Sequence, residues 1–146
     1  MGNKLIARAT IIIDAPVRRV WEALTRPDDI RQYMFGTQVI SDWNEGSSIV
    51  WKGEWQGQTY EDNGEILRLV PIQLIQYSHY SPLSGVPDKP ENYHLVTVEL
   101  SCDGKNTHVR LVQDNNTSEE ERQHSEKNWE MMLENLKKYL EVPGSM

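Results

Sequence analysis

One segment limits the architecture of this chain more than any other. From Thr117 to Glu141 the sequence carries the marks of a single long helix. Thr117 and Ser118 are good N-cap residues, and each has a glutamate three positions later, Glu120 and Glu121, the pattern of a capping box. The first turn is acidic and the last holds Lys137 and Lys138, which suits the helix macrodipole. Val142-Pro143-Gly144 is the stop signal. A helix from 118 to 141 spans about 35 Å at 1.5 Å per residue. Its apolar stripe fills only the second half, through Trp129, Met132, Leu133, Leu136, Tyr139 and Leu140. From Glu119 to Asn128 the stripe stops. Ser125 and Asn128 stand where it would continue, with His124 beside them. The second half must therefore pack on another layer. The first half either lifts into solvent or borders a polar-rimmed space.

The other layer is a sheet. Ile11, Ile12 and Ile13 are β-branched and close a first strand, expected over Lys4 to Ile13. Asp14-Ala15-Pro16 stops that strand and starts a helix, with Pro16 in its first turn. Val17, Val20, Trp21 and Leu24 give the helix an apolar stripe, and Pro27 ends it and begins a second short one through Tyr33. From Gly36 to Asp114 strands are expected over 37–43, 48–55, 59–70, 73–80, 93–102 and 106–113. Glu45-Gly46, Gln56-Gly57 and Asp103-Gly104 mark turns between them. Asn63-Gly64 can be read in two ways: as a hairpin turn that splits 59–70, or as a close backbone approach within one long strand. Ser81 to Asn92 holds Pro82, Gly85, Pro87 and Pro90 and reads as a loop of about twelve residues. The whole is one α+β domain over residues 1–146.

Composition narrows the function. The 146 residues include 15 basic and 22 acidic side chains, a net charge of −7. With no basic run, the chain repels phosphate backbones, so no nucleic-acid partner is expected. No apolar run approaches the roughly 20 residues needed to cross a bilayer, and the N-terminal residues lack the pattern of a signal peptide. No membrane insertion is expected, and the location expected is cytoplasmic. The lone cysteine, Cys102, allows no intrachain disulfide and is expected buried near a strand end. No cofactor or metal is called for, and the state expected is monomer or homodimer.

At this point the sequence resembles a family. Ile13-Asp14-Ala15-Pro16 runs into Val20-Trp21-Glu22-Ala23-Leu24-Thr25-Arg26-Pro27. Gly64-Glu65-Ile66 leads to Pro71, Tyr77-Ser78-His79-Tyr80 precedes the Pro-rich loop, and Trp129, Leu133 and Leu136 come late. Together these are similar to the SRPBCC (START-related, polyketide-cyclase-like) superfamily, in the branch named for the activator of heat-shock-protein-90 ATPase. The resemblance implies a helix-grip fold: a curved antiparallel sheet of about six or seven strands around the long C-terminal helix, with two short helices after the first strand. It implies that Gly64 lies inside one long strand. It also implies a cavity for small hydrophobic molecules between the sheet and the first half of the helix. It supplies no catalytic motif. The chain departs from the family pattern at Asn128-Trp129, often Gly-Trp, and at Tyr33-Met34, where a tryptophan is common.

Six residues are the candidate ligand contacts: Trp51, Trp55, Tyr77, His79, His124 and Asn128. Trp51 and Trp55 are four apart on a strand and share a face, where they can stack on a ring or simply pack. Tyr77 and His79 share a face of the next strand but one. The tyrosine hydroxyl is a polar handle in an apolar pocket. A symmetric register around the Pro-rich loop sets His79 opposite His94. Two histidines without a third ligand are a poor metal site. Trp21 and Trp129 lie on apolar helix stripes and are expected in the core. Glu54, Glu61, Asp62, Glu65 and Glu99 are all candidate acids, and nothing in the sequence singles one out. The leading expectation is a small-molecule-binding domain. The alternatives are a chaperone-interaction module and a cyclase- or dehydratase-like enzyme, for which His79 is the best acid–base candidate.

Overall fold

Three consecutive isoleucines end the first strand, and the turn dipeptides divide the rest of the chain almost where the sequence places them. The computed structural model describes residues 5–82 and 85–141, with the Trp55 side chain excluded. In order the elements are β1 (Ala7–Ile13), α1 (Val17–Thr25), α2 (Pro27–Tyr33), β2 (Gln38–Ser41), β3 (Ser48–Trp55), β4 (Gln58–Val70), β5 (Leu74–His79), β6 (His94–Asp103), β7 (Asn106–Gln113) and α3 (Glu119–Glu141). The strands form one curved antiparallel sheet of seven, ordered β1-β7-β6-β5-β4-β3-β2. The pair α1–α2 therefore carries the chain from one edge of the sheet to the other. Lys4, at the expected start of β1, and the Val142-Pro143-Gly144 stop lie outside the described residues.

Local chemistry explains the boundaries. Pro16 immediately precedes α1, and its carbonyl accepts hydrogen bonds from the amides of Arg19 and Val20. Gln56 and Gly57 both have positive φ, 52° and 81°, the conformation of a two-residue hairpin turn that suits the twist of its strands. That turn pairs Trp55 with Gln58 and sets Trp51 opposite Asp62. Asn63-Gly64 is not a turn: β4 runs through it for 13 residues. A Cβ on Gly64 would lie 1.8 Å from the Ser78 carbonyl oxygen, so glycine lets β4 and β5 touch there.

The two halves of α3 differ as its sequence requires. Met132, Leu133, Leu136 and Leu140 are buried and join Ile13, Val20, Ile66, Val109 and Leu111 in one core. Burial of each such side chain is worth about 1.5–3 kcal/mol. At the N-terminus the Ser118 hydroxyl accepts the Glu121 amide (3.1 Å), and the Glu121 carboxylate reaches back to the Thr117 amide. Polar side chains of α3 also cover the open edge of β1. Glu126 accepts the Arg8 amide (3.0 Å), Glu141 accepts the Asp14 amide (2.7 Å), and the Lys137 ammonium donates to the Ile12 carbonyl (2.9 Å). An edge strand so occupied offers few free groups to a second chain.

The helices are joined by one polar cluster. Arg19 donates to both oxygens of Asp29 (3.2 and 3.0 Å), and the Tyr139 hydroxyl donates to the same carboxylate (2.5 Å). α1, α2 and α3 thus share a single buried anion. Burial pushes the Asp29 carboxyl up, but hydrogen bonds from Arg19 and Tyr139, with the Arg19 charge, outweigh it and hold it below its ordinary value.

One expectation needs correction. Cys102 is exposed: it continues the inward alternation of Val96, Val98 and Leu100 but lies past the core, at the tip of the β6–β7 hairpin. His108 pairs with Ser101, since the turn takes two residues, Gly104 and Lys105. The Pro-rich segment is a loop with one 3-10 turn at Pro90–Asn92, and its described residues are tied together by side chains. Tyr80 donates to the Val86 carbonyl (2.6 Å), Tyr93 donates to Asp88 (2.6 Å), and the two tyrosine rings stack at 5.3 Å. The bond to Asp88 raises the Tyr93 phenol to about 12. Among the described residues no helix is long and apolar enough to cross a membrane.

Candidate ligand-binding cavity

Alternation along β3 and β4 decides what faces the helix. Inward positions on β3 are Ile49, Trp51 and Gly53, and on β4 they are Tyr60, Asp62, Gly64 and Ile66. Large aromatics thus alternate with glycines, and the glycines leave room. The Tyr60 ring lies across Gly53, its hydroxyl 2.5 Å from where a Cβ would be. Beyond this surface α3 has no apolar stripe, and space opens between helix and sheet.

The space is continuous. A chamber of about 310 Å³ is lined by Met34, Thr37, Trp51, Tyr60, Asp62, Tyr77, His79, Ser81 and Trp129. It adjoins a small apolar cleft that Met34, Trp51, Tyr77 and Trp129 also line, with Ile49, Ile75 and Val98 beyond them. On its helix side it adjoins a mouth of about 540 Å³, lined by His124, Ser125 and Asn128 of α3 together with His79, His94 and Tyr60. Phe35 and Met131 are exposed on the rim.

One wall is a run of rings. Trp51 lies against Tyr77 at 5.2 Å between centroids and edge-on to His79 at 5.0 Å. Such tilted and T-shaped pairs match the quadrupoles of the rings. Burial pushes the Tyr77 phenol far above its usual range, so it stays a neutral hydroxyl. His79 and His94 are direct cross-strand partners, as the symmetric register requires. They are engaged differently: His79 Nε2 is 2.9 Å from an Asp62 oxygen, and His94 Nδ1 donates to the Asp114 carbonyl (2.9 Å). The other Asp62 oxygen is buried and has no hydrogen-bond partner among the described residues. The Tyr60 and Thr37 hydroxyls are 2.6 Å apart. Among the described residues no group of three metal-ligating side chains occurs.

Trp51, Tyr77 and His79 therefore come together in the chamber, while His124 and Asn128 stand at the mouth on exposed helix surface. Trp55 has its side chain outside the described residues. Trp129 is not simply core. One side packs on the core, the other lines chamber, cleft and mouth, and its indole N–H donates to Gln113. Tyr60 and Thr37 are the polar groups that sequence reasoning passed over, and Asp62 is one of five candidate acids that it did not single out. Tyr60 and Asp62 were within reach, since a Gln56-Gly57 turn sets them opposite Gly53 and Trp51.

The comparisons agree with this fold. The sequence profile of the family described as activator of Hsp90 ATPase homolog 1-like protein matches residues 14–141. The chain belongs to that family. A Cytophaga hutchinsonii protein known from its solution structure is 56% identical over the full length of both chains, with a TM-score of 0.86. CalU16 from Micromonospora echinospora is 25% identical, over 93% of this chain and 81% of its own, with a TM-score of 0.73. The Aha1 dimer from Colwellia psychrerythraea is 21% identical, over 95% and 98%, with a TM-score of 0.74, a likeness of fold. None of the curated proteins matches. The helix-grip fold of the family accounts for the seven strands, the early helix pair and the long closing helix.

Proposed function

We propose that this protein binds a small molecule with an aromatic or apolar body between the sheet and the first half of α3. The observation that carries the reading is the wall of Trp51, Tyr77 and His79 along a chamber of about 310 Å³. A volume of that order suits a ligand of one to three rings, and apolar walls with a few placed polar groups are what such ligands need. His124 and Asn128 act at the mouth. Trp55, which shares the Trp51 face of β3 by alternation, completes the proposed contact set. The proposed setting is the cytoplasm of the cell, with one exposed cysteine that stays reduced there.

Trp51 and Trp129 give the binding an intrinsic signal. Titration of tryptophan fluorescence with a library of polycyclic aromatics and fatty acids, checked by native mass spectrometry, is expected to find saturable one-to-one binding. Loss of about 50 Å² of ligand contact in Trp51→Ala costs roughly 1.3 kcal/mol at 25 cal/mol per Å², near tenfold in affinity. Absence of any saturable ligand would end this reading.

A second reading has the family description and the exposed rim of Phe35 and Met131 behind it: a module that contacts a chaperone. An ATPase assay with the host's chaperone tests it, and an unchanged rate removes it. Ultracentrifugation distinguishes a monomer from a homodimer of the kind named for the Colwellia relative.

A further inference from the structure

We propose that Asp62 and His79 form a general base that removes a proton from the carbon beside a ligand carbonyl, with the Tyr60 hydroxyl holding the carbonyl oxygen. This rests on the binding reading above and names the ligand class, an enolisable ketone fused to an aromatic ring.

The geometry supplies each part. A carboxylate only accepts hydrogen bonds, so the 2.9 Å contact places the imidazole proton on His79 Nε2. The lone pair is then on Nδ1, which fixes the tautomer that can act as a base. Both side chains are largely sheltered, 29% and 16% exposed, and both line the chamber. The Trp51 edge packs on the imidazole and limits its rotation. His94, opposite, is committed through Nδ1 to the Asp114 carbonyl.

The acceptor for the developing negative charge lies on the same surface. Tyr60 and Asp62 are two residues apart on one face of β4, about 6.6 Å along the strand. The phenol and the imidazole held by Asp62 therefore border the same chamber. Thr37 is buried and 2.6 Å from the Tyr60 oxygen. With Thr37 as donor in that pair, the phenol proton is left for the ligand. Nearby Tyr77 stays neutral, so its phenol adds no negative charge against the enolate.

The step balances without a co-reactant. The α C–H bond breaks, its proton forms the Nδ1–H bond, and its electron pair passes through the C–C bond to the carbonyl oxygen. The imidazolium exchanges its proton with water at the open mouth, and the reverse step returns a solvent proton to the carbon. His79 is the catalytic residue. Asp62 is a positioning residue.

The test is loss of the C1 proton signal of 2-tetralone in deuterated buffer, followed by NMR, with 1-indanone as a second probe. Binding of both is measured separately by calorimetry. The intact protein is expected to accelerate exchange on the order of a hundredfold over buffer. His79→Gln should return the rate at saturating ketone to background. Asp62→Asn should lower kcat at unchanged KM, since the amide can donate to Nε2 and favours the wrong tautomer. Circular dichroism confirms that each variant is folded. Binding of either ketone without faster exchange overturns the base and leaves the cavity reading standing. An undiminished rate in folded His79→Gln, or an equal loss in His94→Gln, overturns the assignment to His79. Failure of both ketones to bind overturns the ligand class, and only failure of the whole library overturns the cavity as well.

Discussion

Gly64→Ala is the sharpest probe of the junction that holds the cavity together. Gly64 is not in the left-handed region, so alanine meets no backbone strain there; the whole effect is steric. The new methyl carbon would sit 1.8 Å from the Ser78 carbonyl oxygen and 2.7 Å from its carbon. Both atoms are backbone, so no rotamer relieves the clash. β4 and β5 must separate by more than an ångström. The bonds that cross this junction are Asn63 amide to Tyr80 carbonyl (3.0 Å), Tyr80 amide to Asn63 carbonyl (2.8 Å) and Glu65 amide to the Ser78 hydroxyl (3.0 Å). At about 1 kcal/mol each, their loss costs roughly 3 kcal/mol, within the range for overpacking. For a chain of this length that is a drop of about 6–12 °C in Tm. Gly53→Ala is the control. There the clash is with the Tyr60 ring, the far end of a side chain, and the cost expected is about 1 kcal/mol with loss of the Thr37 contact. Urea unfolding of both variants measures the difference. A Gly64→Ala cost below about 0.5 kcal/mol, the size of an ordinary surface substitution, would refute the close contact between the strands.

Other expectations follow from the same coordinates. Asp29→Ala removes the shared partner of Arg19 and Tyr139 and should cost about 2–3 kcal/mol at pH 7 by urea titration. The folded Asp29 carboxyl is held below its ordinary value, so its contribution is complete above the usual carboxylate range and fades as pH falls through the folded value. The gap between wild type and Asp29→Ala should therefore shrink in acid; a constant gap down to pH 2 contradicts the shift. Leu136→Ala leaves a hole at a fully buried core position and should cost about 2–5 kcal/mol, read by thermal unfolding. Ser118→Ala loses the hydroxyl that accepts the Glu121 amide, about 1 kcal/mol in the same assay, with ligand affinity unchanged.

The strands were legible because local rules set them. The Gln56-Gly57 and Asp103-Gly104 turns end elements by backbone chemistry, and the observed strands depart from expectation by only a few residues at their ends. The division of α3 was legible for a similar reason, since an apolar stripe that stops at Trp129 has nothing to bury beyond it. The pairing of His79 with His94 followed from symmetry about a loop. Asp62 was not singled out because its role depends on the offset between β4 and β5. That offset comes from the register shift between Ile66 and Arg68 and from the contact at Gly64, neither of which leaves a periodic trace. Trp129 was assigned to the core because a helix stripe records which face is inward and not whether the inward space is filled. Cys102 followed a residue-type tendency that its place near a hairpin tip overrode.

The two halves of α3 give this architecture an uneven tolerance of change. Residues 132 to 140 are locked into the core, and alterations there are felt throughout the molecule. His124 and Asn128 border the mouth on exposed helix surface and are no part of the buried layer. A lineage of such chains can therefore rewrite the entrance, one helical turn at a time, while the folding transition stays where it was. Recognition and stability occupy the same helix and are free to drift apart.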